Sequence, residues 1–141
     1  MSPRLLAAAT LLIQAGCAPG LFVSGPGRAV YERAAPSLVA VEAPAPGGLR
    51  VGSGVAVAPD RVLTACHILG EARDAVARRG GRSYPARLAQ ASAGTDLCEL
   101  AVPGLHAPAV KVASAAALRR GEQLFALGMP GGYVAELSEG V

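Results

Sequence analysis

The stretch Gly52-Ser53-Gly54-Val55-Ala56-Val57-Ala58-Pro59-Asp60-Arg61-Val62-Leu63-Thr64-Ala65-Cys66-His67 decides the fold. Val55 and Val57 alternate with alanines, the period-two pattern of a half-buried or fully buried strand. Pro59-Asp60 is turn chemistry, because proline presets φ and aspartate can bond its own backbone. Val62-Leu63 resumes the strand, and Thr64-Ala65-Cys66-His67 leaves it. The stretch is therefore two strands joined by a tight turn, delivering an imidazole just past a rigid hairpin. His67-Ile68-Leu69-Gly70 then predicts one helical turn closed by glycine.

Outward from this hairpin the same punctuation continues. Before it, Ser37 to Glu42 predicts a first strand, and Ala43 to Gly48 predicts a loop. After it, Asp74 to Arg79 fits a strand or a short helix, and Gly80-Gly81 a turn. Ser83 to Ala89 predicts an edge strand, since Pro85 lacks a ladder donor. Asp96 to Val102 alternates cleanly, Pro103 to Pro108 is a loop, and Ala115 to Glu122 ends in a turn. Gln123 to Gly128 and Val134 to Val141 predict two more strands. Short strands between Gly/Pro turns predict an all-β fold, a barrel or a sandwich.

Composition sets the limits. A chain of 141 residues holds one domain at most. It is 52% hydrophobic but only 4% aromatic, so Ala, Val and Leu must build the core. Its 18 glycines and 11 prolines favour many turns over long helices. The net charge of +3 rests mostly on arginine, with Lys111 the one lysine. A basic surface for nucleic acid is one reading, and a GC-rich genome is the other. The arginines are scattered, and no aromatics interleave with them to stack bases, so no nucleic-acid partner is expected.

Residues 1–17 have the layout of an export signal. Arg4 supplies a positive start. Leu5 to Ile13 is apolar but shorter than the ~20 residues that span a bilayer. Gln14-Ala15-Gly16-Cys17 resembles the lipobox of bacterial lipoproteins, with Gln14 where that motif usually carries an aliphatic residue. The resemblance implies lipidation at Cys17 and a membrane anchor. Ordinary cleavage nearby and a retained, uncleaved anchor are the alternatives. All three export the chain, either to the cell envelope or periplasm or as a secreted protein. Residues 18–30 predict a flexible tether, leaving 31–141 as the domain.

The chemistry-bearing residues are few. His106 lies in a loop with no acidic neighbour in sequence and predicts an exposed side chain. His67 differs, because Asp96 opens a strand downstream. A buried carboxylate there can accept from imidazole Nδ1–H, which fixes the tautomer and leaves Nε2 free as a base. The pattern alone is equally compatible with a satisfied barrel histidine. Cys98 lies two residues after Asp96, on the same face of its strand. If His67 and Asp96 meet, Cys66 and Cys98 are neighbours too. With Cys17 lipidated, the two remaining cysteines of an exported chain predict a Cys66–Cys98 disulfide; two buried free thiols are the alternative. A zinc site is disfavoured, since Cys66, His67 and Cys98 are three candidate ligands without paired spacing. No phosphate loop or dinucleotide fingerprint occurs, so no cofactor is expected.

These residues resemble a known family. Gly52 through Leu69 is similar to the region around the catalytic histidine of trypsin-like serine proteases, above all the compact bacterial members of the HtrA/Deg group. Thr95-Asp96-Leu97-Cys98-Glu99-Leu100 resembles their catalytic aspartate strand. Leu118 to Gly132, with Gly128-Met129-Pro130-Gly131-Gly132 at its end, resembles the strand and Gly-x-Pro-x-Gly loop that follow. Cysteines at both 66 and 98 resemble a subset of bacterial members. The resemblance implies the N-terminal, antiparallel six-stranded Greek-key β-barrel of a serine endopeptidase. It implies His67 as general base, Asp96 as its orienter, and a protein or peptide substrate.

The resemblance also implies a nucleophilic serine in a Gly-Asp-Ser-Gly-Gly block within a second barrel. No such block occurs in these 141 residues. Ser37, Ser53, Ser83, Ser92, Ser114 and Ser138 lie in other contexts, and the resemblance places Ser53 on a core strand of the family. The chain stops inside a strand that the family continues, which suggests an incomplete gene or a fragment, inactive by itself. The alternative is a non-catalytic β-barrel lipoprotein that acts as a binding module.

Overall fold

A computed structural model describes residues 25–132 and 134–141. The export signal, lipidation at Cys17 and the first part of the expected tether lie outside the described residues. Residues 26–30 of that tether belong instead to helix α1, Pro26–Ala34. Pro26 starts it, as a fixed φ and a missing N–H suit the first helical position. Arg28 pairs with Glu32 one turn on, at 2.7 Å. Among the described residues, no helix is long and apolar enough to cross a membrane.

Six antiparallel strands close a barrel: β1 (Leu38–Ala45), β2 (Gly48–Ala58), β3 (Arg61–Ala65), β4 (Asp74–Arg79), β5 (Arg82–Ser92) and β6 (Leu97–Ala101). Their order around it is β1-β2-β3-β6-β5-β4, and β4 returns to β1 through Ala40↔Arg78, Val41↔Ala77 and Glu42↔Val76. Of the barrel or sandwich that the residues predict, the fold is the barrel, in the six-stranded antiparallel form that the family resemblance implies. Closure gives every strand of the barrel a neighbour on both sides over at least part of its length.

The core is built of small aliphatics. Val39, Val41, Val62, Leu69, Leu100 and Val102 are fully buried, and β1 is buried on both faces from Leu38 to Ala43. The glycines of the opening stretch make room for this packing. A Cβ on Gly54 would stand 2.5 Å from Val62 Cγ1 and 3.0 Å from Val41 Cγ2. A Cβ on Gly52 would stand 2.6 Å from Ile68 Cδ1, so the residue after His67 packs directly on β2.

Three expectations change. The loop over Ala43 to Gly48 shrinks to a two-residue turn, because Gly47 at φ 80° reverses the chain and pairing continues to Ala45↔Gly48. Asp74 to Arg79, undecided from periodicity, is a strand, since β1 and β5 both bond it and bury Ala75 and Ala77. The third concerns β5, which is not an edge strand: it pairs with β4 over residues 82–87 and with β6 over 87–92. Pro85 lies in the half with β4 alone beside it, so its missing donor interrupts no β6 ladder.

Helix α2, Cys66–Leu69, follows β3 directly. Beyond the barrel, β7 (Leu124–Gly128) and β8 (Glu136–Gly140) form a separate hairpin. It is tied back to the barrel where the Met129 N–H donates to Ser53 Oγ at 2.7 Å.

Candidate active site

The β3–β6 register sets the site. Thr64 faces Cys98 and Ala65 faces Leu97, so the next step brings Cys66 opposite Asp96. There the ladder ends with Cys66 N–H donating to the Asp96 carbonyl at 3.0 Å. The chain then turns into α2 and presents His67. Asp96 adopts φ +53°, a left-handed conformation that aspartate tolerates better than most residues. A short 3-10 turn, Ala93–Thr95, leads into it. Thr95 Oγ1 donates to Ser92 Oγ at 2.8 Å and holds that turn closed.

Asp96 meets His67 at two points. Its Oδ2 lies 2.6 Å from the imidazole Nδ1, and its Oδ1 accepts the His67 backbone N–H at 2.9 Å. A carboxylate has only acceptors to offer, so Nδ1 carries a proton, and in the neutral ring Nε2 then keeps the lone pair. The hydrogen bond from the His67 side chain, and then that from its backbone N–H, hold the Asp96 carboxyl below the usual carboxylate range. The expectation of a buried carboxylate is corrected: the Asp96 side chain is 49% exposed and that of His67 69%. Asp96 precedes β6 instead of lying within it, and the left-handed turn lifts it to the barrel rim.

Cys66 and Cys98 are joined in a disulfide, their Cα atoms 5.0 Å apart. It cross-links the residue before His67 to the strand that follows Asp96. Their sulfurs are thereby consumed. Among the described residues, no group of three or more His, Cys, Asp or Glu side chains could hold a metal ion.

Four of the serines accept hydrogen bonds through their hydroxyls: Ser53, Ser83, Ser92 and Ser114. Ser53 Oγ accepts from Met129 N–H, and its carbonyl accepts from Thr64 Oγ1 at 2.9 Å. Ser83 Oγ accepts from Arg78, and Ser114 Oγ from the Ala116 N–H. Ser37 is buried, and Ser138 is exposed on β8.

His106 is 77% exposed, as expected, but it is not without an acidic neighbour. Asp60 Oδ1 accepts its backbone N–H at 3.0 Å and lies 3.6 Å from Nδ1. That backbone hydrogen bond is the main reason the Asp60 carboxyl titrates below its usual range. Asp60 is in the turn of the opening hairpin, forty-six residues from His106, so no local pattern could reveal the pair.

Known proteins resemble this chain in sequence and in fold. A family model described as the trypsin-like peptidase domain matches residues 52–141. The chain is 31% identical over 99 residues to the serine protease Rv3671c of Mycobacterium tuberculosis, covering 69% of this chain and 25% of that protein. It is 32% identical over 93 residues to a probable periplasmic serine endoprotease, DegP-like, of Pseudomonas putida, covering 64% of this chain and 20% of the relative. The chain thus spans about a quarter or less of the curated relatives it matches. The crystal structure of the active form of the M. tuberculosis protease superposes with a TM-score of 0.71 at 26% identity, over 98% of this chain and 60% of that one. A serine endoprotease from Yersinia pestis shares the fold with a TM-score of 0.73 at 24% identity, over 84% of this chain and 44% of that one. With the matching model running from Gly52 through the barrel and both residues of the His67–Asp96 pair to Val141, the chain belongs to the family of trypsin-like serine proteases.

Proposed function

We propose that this chain carries the base and its orienter for peptide-bond cleavage by acyl transfer, with the serine supplied from outside these 141 residues. The contact between His67 Nδ1 and Asp96 Oδ2 at 2.6 Å carries the reading. Asp96 holds the Nδ1–H tautomer and stabilises the imidazolium that forms during the reaction. His67 Nε2 takes the proton from the attacking serine and later gives it to the leaving amine. The oxyanion donors and the substrate-selecting pocket come with the serine. That this chain spans about a quarter of its relatives supports such a division.

The test is labelling of the natural gene product with a fluorophosphonate probe. The expected result is one modified serine in a Gly-Asp-Ser-Gly-Gly context, with labelling lost in His67→Ala. An intact, folded gene product that the probe leaves unmodified overturns the reading and leaves the barrel as a non-catalytic binding module.

Export belongs to the same proposal. A disulfide beside the catalytic pair suits an oxidising compartment, and a DegP-like relative is named as periplasmic. Lipidation at Cys17 would hold the chain at the membrane. Metabolic labelling with a fatty acid should be lost in Cys17→Ala; unchanged labelling, or none in the parent, overturns the anchor.

A further inference from the structure

We propose that Arg50 receives a carboxylate of the peptide handled at the His67–Asp96 site. The inference rests on the peptidase reading above and adds a substrate class to it. Arg50 stands on β2 opposite Ala43, and its guanidinium crosses to the far end of the helical turn that carries His67. Gly70 caps that turn at φ +59°. A Cβ on Gly70 would meet Nη2 at 2.5 Å and both Cζ and Nη1 at 2.7 Å, so the guanidinium fills the space a side chain would take. A fixed positive charge is thereby set at the C-terminal end of the turn whose second residue is His67.

Among the described residues, no acceptor answers that charge. Arg50 Nε is buried and has no acceptor. Among the described residues Arg50 enters no ion pair, although Glu71 lines the same cavity. Arginines that serve packing alone normally find a carbonyl or carboxylate for a buried N–H. The cavity beside it has a volume of about 580 Å³ and is walled by Pro44, Pro46, Arg50, Gly70, Glu71 and Ala72. The two prolines and the capped turn give it stiff walls. The planar fork of the guanidinium matches the two oxygens of a carboxylate, which neutral side chains cannot replace. An Asp or Glu side chain of the substrate, or its free C-terminal carboxylate, supplies that group.

The ¹⁵N–¹H resonance of Arg50 Nε–Hε reads this directly in the natural gene product, assigned by its loss in Arg50→Lys. Three peptides of one sequence separate the sources: an amidated form with a central Asp, the amidated Asn form, and the Asn form with a free C-terminus. The resonance should move with an acidic peptide and stay still with the Asn amide. Movement with the Asp form assigns an acidic side chain, and movement with the free acid assigns a chain terminus. Arg50→Gln should weaken binding of the acidic peptide at least tenfold, while Glu71→Gln should not weaken it. No movement with either acid, or equal binding by folded Arg50→Gln, overturns the inference. The parent titration does not depend on any variant folding. Binding is read without turnover, so probe labelling of the serine with a silent Arg50 overturns this inference alone. Binding without labelling removes the peptidase reading instead.

Discussion

Asp96 grips His67 through both oxygens, one 2.6 Å from the ring Nδ1 and one 2.9 Å from the backbone N–H. The second bond matters as much as the first. It fixes the carboxylate relative to the peptide plane of His67, so Asp96 Oδ2 can approach the imidazole from one direction only. Rim exposure of both side chains leaves this geometry to the local covalent frame rather than to surrounding packing.

Asp96→Asn keeps the shape but lets an amide N–H face Nδ1, which favours the opposite tautomer. Proteolysis by the natural gene product should fall on the order of 10³–10⁴-fold in kcat, with little change in KM. The ¹⁵N shifts of His67 in the isolated chain should show the proton moving from Nδ1 to Nε2. An unchanged tautomer would contradict the role given to Asp96.

The depressed Asp96 carboxyl has a pH consequence of definite sign. In the unfolded chain it titrates near ~3.9, and in the folded chain lower. Its contribution to stability is therefore complete above ~pH 4 and is lost as pH falls through the lower folded value. Asp60 behaves in the same direction through the His106 backbone N–H. Carboxyl ¹³C titrations should place both midpoints below those of Asp in short peptides. In Asp96→Asn, the acid-side loss of stability should be smaller.

The Cys66–Cys98 disulfide closes a loop between residues 32 apart in sequence. Replacing both cysteines by serine should lower stability by about 2–4 kcal/mol, read from denaturant midpoints at equal m-values. Thiol alkylation without reductant should leave both cysteines unmodified by intact mass. The Nδ1–Asp96 hydrogen bond, reported by the downfield proton of His67, should exchange faster with solvent once the staple is gone.

Gly54 is needed for its lack of a side chain. Gly54→Ala pushes a methyl against Val62 and Val41 and should cost about 1–3 kcal/mol. Val62→Ala in the same chain opens space at the contact 2.5 Å away. The double variant should then be more stable than the sum of the two single losses predicts, in a double-mutant cycle.

Ser53 supports the loop between β7 and β8. Ser53→Ala strands the Met129 N–H and should cost about 1 kcal/mol, with faster amide exchange at Met129. Fluorophosphonate labelling of the natural gene product should be unchanged, since Ser53 is engaged in the β2 contact with Met129 and is not expected to react.

Much of this was legible along the chain. Val55 to Ala65 declares a hairpin because alternation and turn chemistry are local properties. His67 to Gly70 declares one helical turn because glycine supplies the positive φ that ends it. Asp74 to Arg79 was not legible, since six residues of Ala, Val and Arg satisfy either period and the choice falls to whichever neighbours bond the backbone. Pro85 misled for a related reason: proline reports a missing donor, not how many strands flank it. The His67, Asp96 and Cys98 spacing suggested a meeting without establishing it.

Residue order alone thus determined most of the strands, the hairpin that delivers His67 and the small-residue core, because propensity, periodicity and turn chemistry act over a few bonds. Tertiary structure alone decided that Asp96 sits on the rim in a left-handed conformation, that His106 answers to Asp60, and that Arg50 lies over Gly70. Each of these joins residues distant along the chain. Such contacts follow from barrel closure and strand register, which are set by the packing of the whole core.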